Sequence, residues 1–407
     1  MADDPRLAVE LHGRRIGNLT LFPGERTVFA FDPEYIDDPD RATLGLAFQD
    51  GAGRLVTDIR PTRVRLPPFF SNLLPEGPMR DFLARRAGVH PRREFALLRI
   101  LGRDLPGALR VVAPDADVPL SGPEAGPARA TEPGAHGPLR FSLAGVQPKF
   151  SASIATANRL TIPAEGIGGS WIVKLPSAVH AGLPENEFSM MRLAALVGIA
   201  VPEVRLVGPQ AIDGLPAGVP FDAGQALAVR RFDRGPDGPV HIEDFAQVFG
   251  LFPEQKYERA SYRNIAEVIR AETDQASQDE FIRRLVFNTL IGNGDMHLKN
   301  WSLIYPDRRR PRLAPAYDLV STIVYLPGDD SALRFGRTRR MEQFSADELS
   351  YLAAKSGLPE RPTLRIARDT VDRTREAWTR EAPHLPIPRA AVAAIDAHMA
   401  RVPIASG

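Results

Sequence analysis

The 407-residue chain contains no cysteine. That excludes disulfides, thiolate metal sites and cysteine nucleophiles, and it fits a reducing compartment. Lysine is scarce. Of the 51 basic residues only Lys149, Lys174, Lys256, Lys299 and Lys355 are lysine, and the rest are arginine. Long apolar runs are missing too. The longest, LAALVGIAV at 193–201, is about half of the roughly 18–20 residues that a membrane span needs. The N-terminus, MADDPRLAVELHG, has no apolar signal core. A cytoplasmic protein is expected, with no membrane partner. Excess charge of either sign is absent. The formal net charge is +1, so there is no bulk drive toward nucleic acid.

What is present is ordinary globular composition, 43% apolar and 25% charged. The length suits two or three subdomains. Residues 1–112 begin with strand-like pieces, RLAVELHG, RIGNLTLF, TVFAFD and LGLAFQD, separated at first by hairpin punctuation at His12-Gly13 and Pro23-Gly24. A helix starting near Pro78 and a second over REFALLRIL complete a small α+β unit. Residues 113–140 are rich in Pro, Gly and Ala and poor in large apolar residues, so they read as a linker or long loop. Residues 141–235 read as a β-rich lobe with one helix starting at Pro184. The Gly166, Gly168, Gly169 cluster reads as a hairpin turn. From 236 to 407 the periodicity is helical, starting with HIEDFAQVFGL.

Within the helical part, the stretch NTLIGNGDMHLKN at 288–300 stands out. An apolar helix leads into Gly292 and Gly294, which stop it. Asp295, His297, Lys299 and Asn300 then follow within six positions. WSLIY reads as a strand directly afterwards. Asx-turn hydrogen bonding alone accounts for most such Asp–Asn pairs. The spacing Asp295–Asn300 is also the D-x-x-x-x-N of a phosphotransfer loop, in which the Asp serves the acceptor hydroxyl and the Asn a magnesium ion. A second metal-binding Asp is expected after a short hairpin, and Asp318 stands there. Asp and Asn oxygens are suitable hard ligands for magnesium.

The same chemistry needs a lysine on the phosphates and often a glutamate to hold it. Lys174 lies on the expected strand WIVKLP, and Glu187 lies thirteen residues on, early in the next helix, with Glu185 as its competitor. Taken alone, a strand lysine more often points to water. Where arginine would serve, this chain uses arginine. A retained lysine, which is a compact point charge, therefore merits inspection. Upstream, SLAGVQPKF at 142–150 offers a loop that could cradle phosphates with backbone N–H groups, but it is neither G-x-G-x-x-G nor Walker A. Neither HRD nor DFG occurs.

These segments resemble the HipA family of bacterial toxin serine/threonine kinases. FFSNLLPEGPMRDFLARRAG, FSLAGVQPKFS, WIVKLP, NEFSMMRLAALVGI, LAVRRFDR, EDFAQVFGL with KYE, LIGNGDMHLKN and LAPAYDLVS occur in the family's order from about residue 10 to 325. The resemblance implies an α+β, bilobal protein-kinase-like fold. Its β-rich N-lobe would carry the extra N-terminal subdomain, and its C-lobe would be all-helical. It implies ATP and Mg2+ as cofactors and Asp295 as catalytic base, with Asn300 and Asp318 on the metal. Lys174, supported by Glu187, would meet the ATP phosphates. Ala144, Gly145, Val146, Gln147, Pro148 and Lys149 would cover them. Arg230, Arg231 and Phe232 would lie at the adenine hinge, and His297, Leu298, Lys299 and Tyr317 would line the nucleotide site. Ser142 takes the position of a regulatory autophosphorylated serine. Arg230 replaces a glutamate common in the family, and the 113–140 linker is longer and more proline-rich than the family pattern.

The resemblance further implies a toxin–antitoxin pair with a helix-turn-helix antitoxin. DNA would be contacted only through that partner. The protein substrate would be translation-related, such as an aminoacyl-tRNA synthetase. Two other classes stay open at this level. One is a small-molecule or lipid kinase on a related scaffold, which the lack of an amphipathic basic helix disfavours. The other is a non-catalytic partner in a DNA complex, which the intact Lys174, Asp295, Asn300 and Asp318 set disfavours. The arginine runs 308–310 and 337–340 read as solvated turns before they read as nucleic-acid contacts.

Overall fold

A computed structural model describes residues 5–113, 149–154, 159–162, 169–177, 179–215 and 224–406. Ser142 and the loop residues Ala144, Gly145, Val146, Gln147 and Pro148 lie outside the described residues, as does nearly all of the 113–140 linker. No described helix is long and apolar enough to cross a membrane.

The chain begins with an antiparallel five-stranded sheet. Its order is Thr62–Arg63, Arg26–Phe31, Arg14–Phe22, Arg6–Leu11 and Leu109–Val112. The first hairpin turns at His12 (φ 51°) and Gly13 (φ 76°), with Leu11 paired to Arg14. Two positive φ angles in a two-residue loop match the right-handed twist of the strands. Apolar side chains of this sheet, Leu7, Val9, Ile16, Leu19 and Phe29 among them, pack on Phe48, Phe69, Phe70 and Leu97 as a separate core. The expected strand LGLAFQD is instead a short 3-10 helix, Leu46–Phe48. A Cβ on Gly45 would lie 2.7 Å from both Phe69, in the same core, and Glu243 of the helical lobe, so the backbone before this turn packs closely on both.

A six-stranded sheet follows, ordered Ile212–Asp213, Leu160–Thr161, Lys149–Ile154, Trp171–Lys174, Ala226–Arg230 and Val204–Val207. Its own small core contains Ala152, Trp171, Val173, Ala226 and Ala228. The helix Leu183–Val197 enters after Gly182 and stops at Gly198 (φ 91°). It spans both lobes in packing terms, because Met190, Met191, Leu193, Ala194 and Val197 belong to the core of the helical lobe.

That lobe contains the helices Tyr262–Glu272, Gln275–Leu290, Ala346–Ser356, Glu360–Glu381 and Arg389–Arg401. It is not all-helical. A three-stranded sheet joins His241–Asp244, Ser302–Tyr305 and Arg312–Leu313. HIEDFAQVFGL therefore divides where a helix was expected throughout. His241 and Glu243 are buried on the strand, and the Asp244 side chain then caps the short helix Phe245–Val248 through a reciprocal bond with Gln247.

Candidate functional site

The 292–300 loop is held by the helix before it. Gln275–Leu290 is capped by the Asp274 side chain, and it is apolar enough that Phe281, Leu285, Val286 and Leu290 are fully buried. Gly292 then turns with φ 69°, and a Cβ there would lie 2.3 Å from Ile323. The glycine is required both for its dihedral and for this close approach. Asn293 is buried. It donates to the Asn288 Oδ1 (2.7 Å) and to the Asp318 carbonyl (3.3 Å), and accepts from the Asp295 N–H (3.2 Å). One amide side chain thus ties the helix, the loop and the Asp318 segment together.

Asp295 accepts a hydrogen bond from the Tyr257 hydroxyl at 2.7 Å. Burial pushes the Asp295 carboxyl above the usual range, while Tyr257 and the nearby Lys256 pull it back and Asp318 and Asp329 add to the rise. Asn300 donates its side-chain N–H to the Asp295 carbonyl at 2.9 Å, which leaves the amide oxygen as an acceptor. Asp318 has φ 55°, a left-handed conformation uncommon for a non-glycine residue. Such strain tends to gather at functional sites.

Lys174 comes from the other lobe. Its ammonium lies 2.6 Å from Glu187 Oε1 and also pairs with Asp318. Burial works against its charge, but Asp318 and Glu187 outweigh burial and hold the lysine well above its ordinary range. Glu187, not Glu185, is the partner; it is 4% exposed and sits in the first turns of the helix Leu183–Val197. The structure therefore brings Lys174, Glu187, Asp318, Asn300 and Asp295 to one place.

The other expected site residues divide. Tyr317 stacks on Phe232, with ring centroids 5.8 Å apart, and its hydroxyl donates to the Lys299 carbonyl. Leu298 is fully buried. His297 is buried with its edge against the Tyr257 ring, and burial lowers its pKa to about 3, so it is neutral. Lys149 pairs across the sheet with Lys174. Arg230 is exposed and faces Glu203. Arg231 turns its guanidinium away from the cluster, into a buried network with Asp233 (2.8 Å) and Asp104 (3.3 Å). Its backbone N–H is taken by the Ser170 carbonyl. Lys299 also turns away, to the Asn72 carbonyl (2.8 Å) and to Asp244 (3.2 Å). Sequence reading did not single out Asn293, Tyr257, Lys256 or Glu76. Asn293 and Glu76 lie inside the quoted segments NTLIGNGDMHLKN and FFSNLLPEGPMRDFLARRAG, and Lys256 and Tyr257 inside KYE, but no local pattern marked them as individual site residues.

A β-rich lobe that supplies a Glu-held lysine, set against a helical lobe that supplies an Asp–Asn loop and a following Asp, defines a protein-kinase-like bilobal architecture. Comparison with known proteins agrees. Residues 7–112 match the HipA N-terminal domain model, and residues 141–378 match the HipA-like C-terminal domain model. The chain is 55% identical to "Putative kinase Y4dM" of Sinorhizobium fredii, covering 96% of each chain. It is 30% identical to the "Serine/threonine-protein kinase toxin HipA" of Shewanella oneidensis, over 80% of this chain and 77% of that one. Its fold matches the HipA chain solved in a HipA, HipB and operator DNA complex from Shewanella oneidensis. That match has TM-score 0.73 and 24% identity, and covers 97% of this chain and 96% of the other. The chain belongs to the HipA family.

Proposed function

We propose that the protein is an ATP- and Mg2+-dependent serine/threonine protein kinase acting as the toxin of a toxin–antitoxin pair. The observation that carries the reading is the joining of Lys174, Glu187 and Asp318 across the two lobes, beside a loop in which Asn300 is tied to Asp295. The donor set fits the implied metal. One carboxylate and one amide oxygen suit magnesium, which keeps waters and shares substrate phosphates. Asn300 and Asp318 would hold it, and when bound it neutralises charge on the phosphates during transfer. Lys174 would bind those phosphates. Asp295 would accept the proton of the acceptor hydroxyl as its oxygen bonds to the terminal phosphorus and the bond to the ADP oxygen breaks.

The Shewanella relatives support the toxin role and a helix-turn-helix antitoxin as partner. The family resemblance supports a translation-related protein substrate such as an aminoacyl-tRNA synthetase, and autophosphorylation at Ser142. The test is incubation of the purified protein with γ-labelled ATP and cell lysate, with Asp295→Asn in parallel. Label transferred to discrete proteins by the wild type and not by the mutant supports the reading. Equal labelling in both overturns it.

A further inference from the structure

The catalytic loop is held from outside the two kinase lobes. Glu76 lies in the N-terminal domain, where the FFSNLLPEG segment leads into the helix Gly77–Arg86. Its carboxylate lies 2.9 Å from the Lys256 ammonium and 3.5 Å from that of Lys299. Lys299 sits between Leu298 and Asn300 in the loop itself, and its ammonium also bonds the carbonyl and side chain of Asn72, from the same N-terminal segment. Lys256 directly precedes Tyr257, which holds Asp295, and the Lys256 carbonyl accepts from the Leu298 N–H. Two of the five lysines in the chain thus converge on one carboxylate. Both lysines and Glu76 are at most 29% exposed at the side chain. Arginine would place a wide planar fork where a compact ammonium fits.

We propose that Glu76 is a positioning residue for phosphoryl transfer: its carboxylate bridges Lys256 and Lys299 and so registers Asp295 and Asn300 from the N-terminal domain. Glu76 does not touch the reacting atoms. It acts through the Tyr257–Asp295 bond on one side and through the Lys299–Asn300 backbone on the other. The kinase lobes alone would then hold nucleotide with the acceptor side of the site out of register. The inference rests on the kinase reading above.

The test uses the full chain with Glu76→Ala and the near-isosteric Glu76→Gln. Displacement of a reacting group by about 1 Å can cost on the order of 10²-fold. Glu76→Ala should therefore lower kcat by roughly 10- to 100-fold, with KM for ATP unchanged, and Glu76→Gln should fall between it and wild type. Lys256→Ala combined with Glu76→Ala should lose less than the product of the single losses, because both break one contact. Amide hydrogen exchange over residues 295–300 should accelerate in Glu76→Ala, a readout that needs no activity. A folded Glu76→Ala protein with wild-type kcat and wild-type exchange in that loop overturns the proposal. So does a loss that appears in KM for ATP alone. If wild type transfers phosphate and Asp295→Asn does not, such a failure leaves the kinase reading intact. If wild type transfers none, the exchange result still decides the role of Glu76.

Discussion

Lys174 and Asp318 are 144 residues apart in sequence and form an ion pair across the lobe interface. Lys174 ends the strand Trp171–Lys174, whereas Asp318 lies in irregular backbone after Arg312–Leu313, and their meeting sets the lysine between two carboxylates. Glu187 completes the arrangement from the helix that packs into both lobes. Removing Lys174 leaves Glu187 as a buried carboxylate without its ammonium. Lys174→Met should therefore destabilise the fold by about 3–5 kcal/mol, seen as a lower urea midpoint, and should abolish phosphoryl transfer.

Asp295→Asn should separate activity from folding. The amide retains the shape and can still accept from Tyr257, so the melting temperature should stay close to wild type. Transfer should fall by roughly 10²–10⁴, the range for loss of a general base. Steady-state kinetics beside a thermal scan checks both halves.

Gly292→Ala should damage the fold without touching a catalytic group. Its φ is 69° and the new methyl would lie 2.3 Å from Ile323. Backbone strain and overpacking together should cost roughly 2–5 kcal/mol. Equilibrium denaturation of the purified variant measures this directly.

Arg231 and Asp233 bind Asp104, Leu105 and Gly107 of the N-terminal domain. Asp233→Ala leaves the Arg231 guanidinium buried without its closest carboxylate, a loss of about 3–5 kcal/mol. The N-terminal domain has its own core. Calorimetry should therefore show its transition separating from that of the kinase lobes.

Glu243 is fully buried between domains, and burial lifts its pKa from 4.5 to about 8, against the hydrogen bonds from Tyr305 and the Leu46 N–H. The folded state therefore binds this proton more tightly than the unfolded chain. Its contribution is fully present below about pH 4.5 and is lost as pH rises toward 8. Glu243→Gln should remove that decline, so the variant should gain stability relative to wild type at pH 8 compared with pH 5. Denaturation midpoints at the two pH values give the comparison.

Much of the candidate site was legible because its residues are local in sequence. Asp295, Asn300 and the glycines before them occupy one short stretch, and the strand of Lys174 and the helix of Glu187 are adjacent in sequence. The side chains of Arg231 and Lys299 were not legible. Their partners in the N-terminal domain, Asp104 and Asn72, lie more than a hundred residues away. Nothing in the local pattern distinguishes an arginine facing a nucleotide from one facing a neighbouring domain. The strand His241–Asp244 was missed because its buried polar residues, His241 and Glu243, broke the apolar alternation that marks a strand.

The sequence by itself determined the order of elements, the glycine stops and the spacing of Asp295 and Asn300, because dihedral freedom, capping and periodicity act over a few residues. Only the tertiary structure decided that Glu187 rather than Glu185 faces Lys174, that Tyr257 reaches Asp295, and that Glu76 bridges Lys256 and Lys299. Those choices depend on how the three cores of the described residues pack, and the direction of a long charged side chain follows from whichever buried partner offsets its desolvation.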